Sequence, residues 1–287
     1  MPELNHGSHS LYQIADRLRT VQGRAVVVKL GGSAMELPAA TTGMIQAVAA
    51  LQTLGVKLIL VHGGGKPIDR AMESAGLRPV KIQGRRYTDE ATLEIVVRVL
   101  YEINDSLVGQ FTERGCQVTG VRDGILGTRL LLPGLDLQPL DLGRVGIVSK
   151  IDRDCFRNHL HNGTVAIVPS LARDEIDGGW LNVNADSMAA GLAREIDCDA
   201  VLFLTDTPGV LRDRHEPSTR LARLTTNECR TLMTAGVIEG GMIPKVEACF
   251  EALDAGARRA VILDGRDPHA LLDDFLQPGS TGTEIVK

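Results

Sequence analysis

The chain of 287 residues is 44% hydrophobic, holds 31 glycines and only 3% aromatics, and so has the size for one large or two smaller globular domains. Its net charge of −5, with no long basic run, excludes the electrostatic footprint of a nucleic-acid or anionic-membrane binder. Cys116, Cys155, Cys198, Cys229 and Cys249 are scattered, with no CxxC pair and no histidine at metal-ligand spacing, which argues against a cysteine metal site and fits a reducing cytoplasm.

The first ten residues are polar, without the apolar core of a signal peptide, and no apolar run approaches the roughly 20 residues that span a bilayer. A cytoplasmic protein is expected. Ser10 to Val21 reads as an amphipathic helix, with Leu11, Ile14, Ala15, Leu18 and Val21 on one stripe and Gly23 as its stop. That stripe must bury against its own domain or against a neighbouring subunit.

Ala25 to Met35, AVVVKLGGSAM, follows as a short apolar run that passes through Lys29 into Gly31-Gly32. This predicts a buried strand feeding a glycine turn, where main-chain N–H groups and an ammonium can hold a phosphate together. Thr41 to Leu54 reads as a helix closed by Gly55. The same grammar then recurs: Lys57 to Met72, KLILVHGGGKPIDRAM, runs through Gly63-Gly64-Gly65 into a helix from Pro67 to Ala75. Either turn alone could be a mere tight turn; two together suggest two facing anion sites. The β-α-β-α order implies a parallel sheet with right-handed crossovers and ligands beyond the carboxyl ends of its strands.

Gln83 to Asp89, QGRRYTD, leads into a long helix with Thr88 as the expected N-cap. Its two arginines either grip a carboxylate with planar two-pronged donors or are solvated at the surface. Cys116 to Val121 reads as a strand, and Arg122 to Lys150 as one or two hairpins that project from the sheet and cover a ligand. Thr164 to Pro169 returns to the sheet, and the polar, glycine-bearing Asp174 to Gly179 marks a boundary between lobes.

In Leu181 to Ala193, LNVNADSMAAGLA, Asn184 is the expected N-cap, which puts Asp186 in the first helical turn and Asn182 just before it. Ala200 to Leu204 is a buried strand ending in Thr205-Asp206-Thr207-Pro208-Gly209. After a helix from Thr225 to Ala235, Gly240-Gly241-Met242-Ile243-Pro244-Lys245 opens another that runs to Ala255. A lysine in an opening turn faces the positive end of the helix dipole, so Lys245 either meets an anion there or points to water. Arg259 to Leu263, Pro268 to Leu276 and Thr283 to Val286 complete a strand, helix and strand.

AVVVKLGGS, LVHGGGKPID, GRRYTD, LNVNAD, LTDTPGV and GGMIPKVEA, in this order and over nearly the whole chain, resemble the amino-acid kinase family. The resemblance implies a three-layer α/β/α sandwich around a mainly parallel central sheet. It implies an N-terminal extension helix (1–22), an N-terminal lobe for an acyl amino acid (23–174) and a C-terminal lobe for ATP (175–287). Within the family it points to members that phosphorylate the side-chain carboxylate of N-acetyl-L-glutamate in arginine biosynthesis, with a reading on N-acetylaminoadipate or carrier-linked substrates, or as a silent sensor, as alternatives.

By that resemblance Lys29 and Lys245 neutralise the transferring phosphoryl group and Asp186 orients both. Gly31, Gly32, Thr205, Asp206 and Gly209 border the nucleotide. Gly64 and Gly65 meet the reacting carboxylate, Arg86 holds the α-carboxylate, and Asn182 contacts the acetylated amino acid. ATP is the expected cofactor, with Mg²⁺ carried by the nucleotide and no metal held by the protein; the partners are small molecules, neither nucleic acid nor membrane. The Ser10 to Val21 helix and Arg266 to His269 resemble parts of arginine-inhibited members, which implies a homodimer or hexamer and feedback by L-arginine. Arg122 stands where the family has lysine, and Gln277 to Thr283 lacks the family's acidic residue. Neither a GxxxxGK[ST] run nor GxGxxG occurs, so a P-loop kinase and a dinucleotide-binding dehydrogenase lose their main support.

Overall fold

A computed structural model describes residues 12, 15–16, 19–20, 22–133 and 139–287. Most of the amphipathic stripe, Leu11, Ile14, Leu18 and Val21, lies outside the described residues, while its described member Ala15 is helical and exposed. Among the described residues no helix is long and apolar enough to cross a membrane. All five cysteines are free thiols.

The first two glycine turns fall where periodicity put them. β1 (Ala25–Leu30) leads into the short α1 (Gly32–Glu36), α2 (Pro38–Thr53), β2 (Lys57–His62) and α3 (Gly65–Ser74). The two longer helices each begin a little before their sequence signals, α2 because Pro38 sits at its first position, where the missing N–H costs nothing. After the two-residue strands β3 (Lys81–Ile82) and β4 (Arg85–Arg86) comes α4 (Glu90–Thr112). Its N-cap is Asp89 rather than Thr88: the Asp89 carboxylate accepts from the Thr92 N–H at 2.8 Å, while the Thr88 hydroxyl is already donated to the Arg86 carbonyl.

β5 (Val118–Gly120), β8 (Val165–Pro169), β11 (Ala200–Thr205), β12 (Arg223–Thr225), β13 (Arg259–Asp264) and β14 (Thr283–Val286) join β1 and β2 in one eight-stranded sheet of order β12-β14-β13-β11-β1-β2-β8-β5. Only β13 and β14 run antiparallel. Alternate residues of the central strands feed opposite layers, as a two-residue period requires. Val26, Val28 and Leu30 pack with Met44, Val48 and Leu51 of α2 and Phe111 of α4. Val27, with Ile59 and Val61 of β2, packs with Phe156 of α5 (Arg153–His161), Met188 and Leu192 of α6 (Ala185–Glu195), and Val246 and Leu253 of the helix Ile243–Asp254. This is the three-layer α/β/α sandwich that the motifs implied.

The segment Arg122 to Lys150 holds one of the one or two expected hairpins, but the hairpin closes into a barrel with strands from further along the chain. It forms one long hairpin, β6 (Ile125–Pro133) with β7 (Pro139–Ile151), whose edges are taken by β9 (Leu171–Asp174) and β10 (Trp180–Val183) to close a four-stranded barrel. Asp174 to Gly179 is the turn between β9 and β10, cross-braced by the Asp174 N–H to Gly179 carbonyl bond at 2.8 Å. Buried Asp174 also accepts from Arg129 Nε at 3.0 Å, so this turn is pinned to β6. The remaining helices are α7 (Thr226–Thr234), α8 (Ile243–Asp254) and α9 (Ala270–Leu276).

Candidate active site

β1 and β11 lie side by side in parallel register, Lys29 opposite Phe203 and Leu30 opposite Leu204, so both strands deliver their carboxyl ends to one edge of the sheet. At Gly31 the chain turns so close to β11 that an added Cβ would come within 2.3 Å of the Leu204 carbonyl oxygen. Only glycine allows that approach without moving a strand.

Lys29, 16% exposed at its side chain, reaches Asp186 with Nζ to Oδ1 at 2.8 Å. Asp186 is placed by its own helix. Asn184 caps α6, its Oδ1 accepting from the N–H groups of Asp186 at 2.8 Å and Ser187 at 3.2 Å, which fixes Asp186 in the first turn as the sequence predicted. Lys245 in the opening turn of α8 is not aimed at water. Its Nζ lies 2.7 Å from Oδ1 of Asp206 at the end of β11. The ammonium holds the Asp206 carboxyl below the usual carboxylate range. This revises the expected pattern, since Asp186 pairs with Lys29 while Asp206 holds Lys245.

Gly63, Gly64 and Gly65 carry the chain from β2 into α3 with no side chain capping that helix, so its first N–H groups are left for a ligand. Arg86 is buried rather than solvated. Its guanidinium meets Asp69 Oδ1 at 2.5 Å and donates to the Gly65 carbonyl at 3.2 Å, which ties it to the glycine turn. Asn182 Nδ2 donates to the Thr88 hydroxyl at 3.1 Å, and that hydroxyl donates to the Arg86 carbonyl at 2.9 Å. Thr88 was visible in sequence only as a cap, because its partner lies 94 residues away.

These residues line a single cleft of about 1370 Å³. Lys29, Gly31, Gly32, Gly64, Gly65, Arg86, Asn182, Asp186, Thr205, Asp206 and Lys245 all contribute to its wall. Gly209 does not. It has φ +121°, and an added Cβ would sit 2.5 Å from Thr283 Oγ1, so its glycine serves the packing of that turn on β14. Two further lining groups were not singled out as nucleotide or substrate contacts: Lys66, paired with Glu36 at 2.8 Å across the two glycine turns, and Arg266, whose Nη2 lies 2.7 Å from Asp264 Oδ2.

The lining carries nine lysines and arginines against four carboxylates, in a chain whose net charge is −5. Such a cleft concentrates anions. Among the described residues no three His, Cys, Asp or Glu side chains converge as a metal site, and the cleft carboxylates Asp186, Asp206 and Glu36 each hold a lysine. The arrangement fits two polyanions brought together between cationic walls.

The model of the amino acid kinase family matches residues 24–264. The chain is 36% identical over 272 residues to acetylglutamate kinase of Acaryochloris marina, covering 94% of each protein. It is 32% identical over 281 residues to acetylglutamate kinase of Clostridioides difficile, covering 98% of this chain and 97% of that one. Among solved structures it is similar to N-acetylglutamate synthase from Neisseria gonorrhoeae complexed with coenzyme A and N-acetyl-glutamate, with a TM-score of 0.80 at 21% identity; the match covers 98% of this chain but spans 63% of the length of that one.

Proposed function

The chain belongs to the amino acid kinase family, and from that premise we propose that it transfers the γ-phosphoryl group of ATP to the side-chain carboxylate of N-acetyl-L-glutamate, giving N-acetyl-L-glutamyl 5-phosphate in arginine biosynthesis. The observation that carries this reading is the pair Lys29 and Lys245, brought from separate parts of the sequence onto one cleft and each fixed by its own carboxylate.

The nucleophile is a carboxylate, ionised at neutral pH because its unperturbed pKa is about 4. No general base is needed. The obstacle is repulsion between that anion and ATP, so catalysis rests on positioning and charge stabilisation. Lys29 and Lys245 take up the charge of the transferring group, and Asp186 holds Lys29 in place rather than accepting a proton. Asp206 keeps Lys245 at the nucleotide side until a polyanion competes for it. Gly31, Gly32 and Thr205 border the nucleotide. Gly64 and Gly65 present N–H groups to the reacting carboxylate, while Arg86 and Asn182, coupled through Thr88, receive the rest of the acyl amino acid.

Most of the acyl-substrate contacts then come from residues 23–174 and most of the nucleotide contacts from 175–287, with Asn182 crossing to the substrate and Gly31 and Gly32 to the nucleotide. Because Asp186, Asp206 and Glu36 are each engaged by a lysine and Glu102 by Arg98, Mg²⁺ would be supplied on the nucleotide. We place the enzyme in the cytoplasm as a homodimer or hexamer. The likeness of the Arg266–His269 stretch to part of arginine-inhibited members is what supports feedback by L-arginine, and flat activity across an arginine titration would reject it.

Hydroxylamine trapping of acyl phosphate tests the central reading. Hydroxamate is expected from ATP, Mg²⁺ and N-acetyl-L-glutamate, and not from aspartate or free glutamate. No hydroxamate with N-acetyl-L-glutamate would reject the assignment.

A further inference from the structure

His62 is the last residue of β2, fully buried, and plays no part in the chemistry above. It stands directly before the glycine turn that faces the reacting carboxylate. Its ring is held from both sides. Asn104, buried on α4, points Nδ2 at the Ile167 carbonyl of β8 at 3.0 Å and at His62 Nε2 at 3.2 Å. An amide nitrogen can only donate, so Nε2 must carry the lone pair and the proton must sit on Nδ1. Nδ1 in turn lies 3.2 Å from the Gly63 carbonyl oxygen, which can only accept. Both contacts demand the same tautomer, and burial holds the ring neutral by pushing its pKa down to about 4.

The bond to the Gly63 carbonyl sets the next peptide. In a trans peptide the C=O and N–H lie on opposite edges of one plane, and no cis peptide occurs among the described residues. A Gly63 carbonyl turned onto the buried imidazole therefore puts the Gly64 N–H on the opposite edge of the peptide, in a turn whose three glycines line the cleft. Glycine-flanked peptides rotate at little cost, so without such a lock this N–H would be shared between orientations.

We propose that His62, fixed in its Nδ1–H tautomer by Asn104, is a positioning residue that locks the Gly63–Gly64 peptide and so preorganises the Gly64 N–H for the carboxylate substrate. The proposal rests on the acyl-phosphate-forming reading of the cleft. Preorganised donors of this kind are worth roughly 10²-fold or more in turnover when removed outright, and less when merely loosened.

Two measurements test it. In long-range ¹H–¹⁵N spectra of the full chain at neutral pH, His62 should show a protonated Nδ1 and a bare Nε2; the reverse would overturn the proposal. In kinetics, His62→Leu, which cannot donate, should lower kcat/KM for N-acetyl-L-glutamate at least about tenfold while KM for ATP stays within about twofold. His62→Asn places an amide N–H where Nδ1 stood and should recover most of that loss, although both variants melt at lower temperature. Equal loss in both variants, tracking Tm, or unchanged kcat/KM in His62→Leu, would overturn it. Wild-type turnover with N-acetyl-L-glutamate reports on the assigned reaction separately, since a wild type without activity would sink that reading whatever the variants do.

Discussion

Lys29 and Lys245 bring the same charge to one cleft, but their surroundings differ. Lys29 rises from a central strand and pairs with a carboxylate 28% exposed, whereas Lys245 pairs with Asp206, 69% exposed. Lys245→Ala should lower kcat at least about 100-fold by removing charge stabilisation in the transition state, with far-UV circular dichroism unchanged; a wild-type rate would remove Lys245 from the mechanism. His62 provides a second residue-scale prediction, read in stability. Its folded pKa of about 4 lies below the unfolded 6.5, so the unfolded chain binds the extra proton between these values. The contribution is complete above pH 6.5, is lost as pH falls through the window, and amounts to about 3 kcal/mol. Urea unfolding of wild type against His62→Asn from pH 7 to 4 should show that the wild type has the steeper loss; parallel curves would place the ring's titration elsewhere.

Helix and strand ends position Lys29, Asp186, Asp206 and Lys245 in the cleft. The α6 cap by Asn184 places Asp186 beside Lys29, so Asn184→Ala should cost about 1 kcal/mol of stability and also lower kcat, a double effect that an ordinary cap would not give. Gly209→Ala tests the opposite assignment. At φ +121° and against Thr283, whose hydroxyl accepts from the Val210 N–H at 2.8 Å, the change should lower Tm while leaving KM for ATP within about twofold. A large rise in that KM, with Tm unmoved, would return Gly209 to the nucleotide site. The element scale is also where reading the sequence fell short. The cap moved one residue on to Asp89 because the Thr88 hydroxyl is spent on the Arg86 carbonyl, and the closure of β6 and β7 into a barrel depends on β9 and β10, which lie further along the chain.

At the scale of the molecule, β1 has β2 on one side and β11 on the other, so residues from the two halves share one sheet and two hydrophobic layers. A fragment ending at 178 would expose the apolar edge of β1 that β11 covers, and should be unfolded or aggregated on its own by circular dichroism and gel filtration. An independently folded fragment would show that the halves are separable domains. The local signals in the sequence, a strand period of two, glycines after Lys29 and His62, and a cap at Asn184, were enough to determine the strands and helices around the two glycine turns, the mainly parallel sheet and the residue types gathered at the strand ends, because these depend mostly on neighbours within a few positions. Which carboxylate holds which lysine, whether Arg86 is solvated, what Gly209 packs against and what His62 touches were decided only by tertiary structure, because each turns on a distance between groups that lie tens of residues apart in the chain, and 157 apart for Lys29 and Asp186, and that only packing brings together.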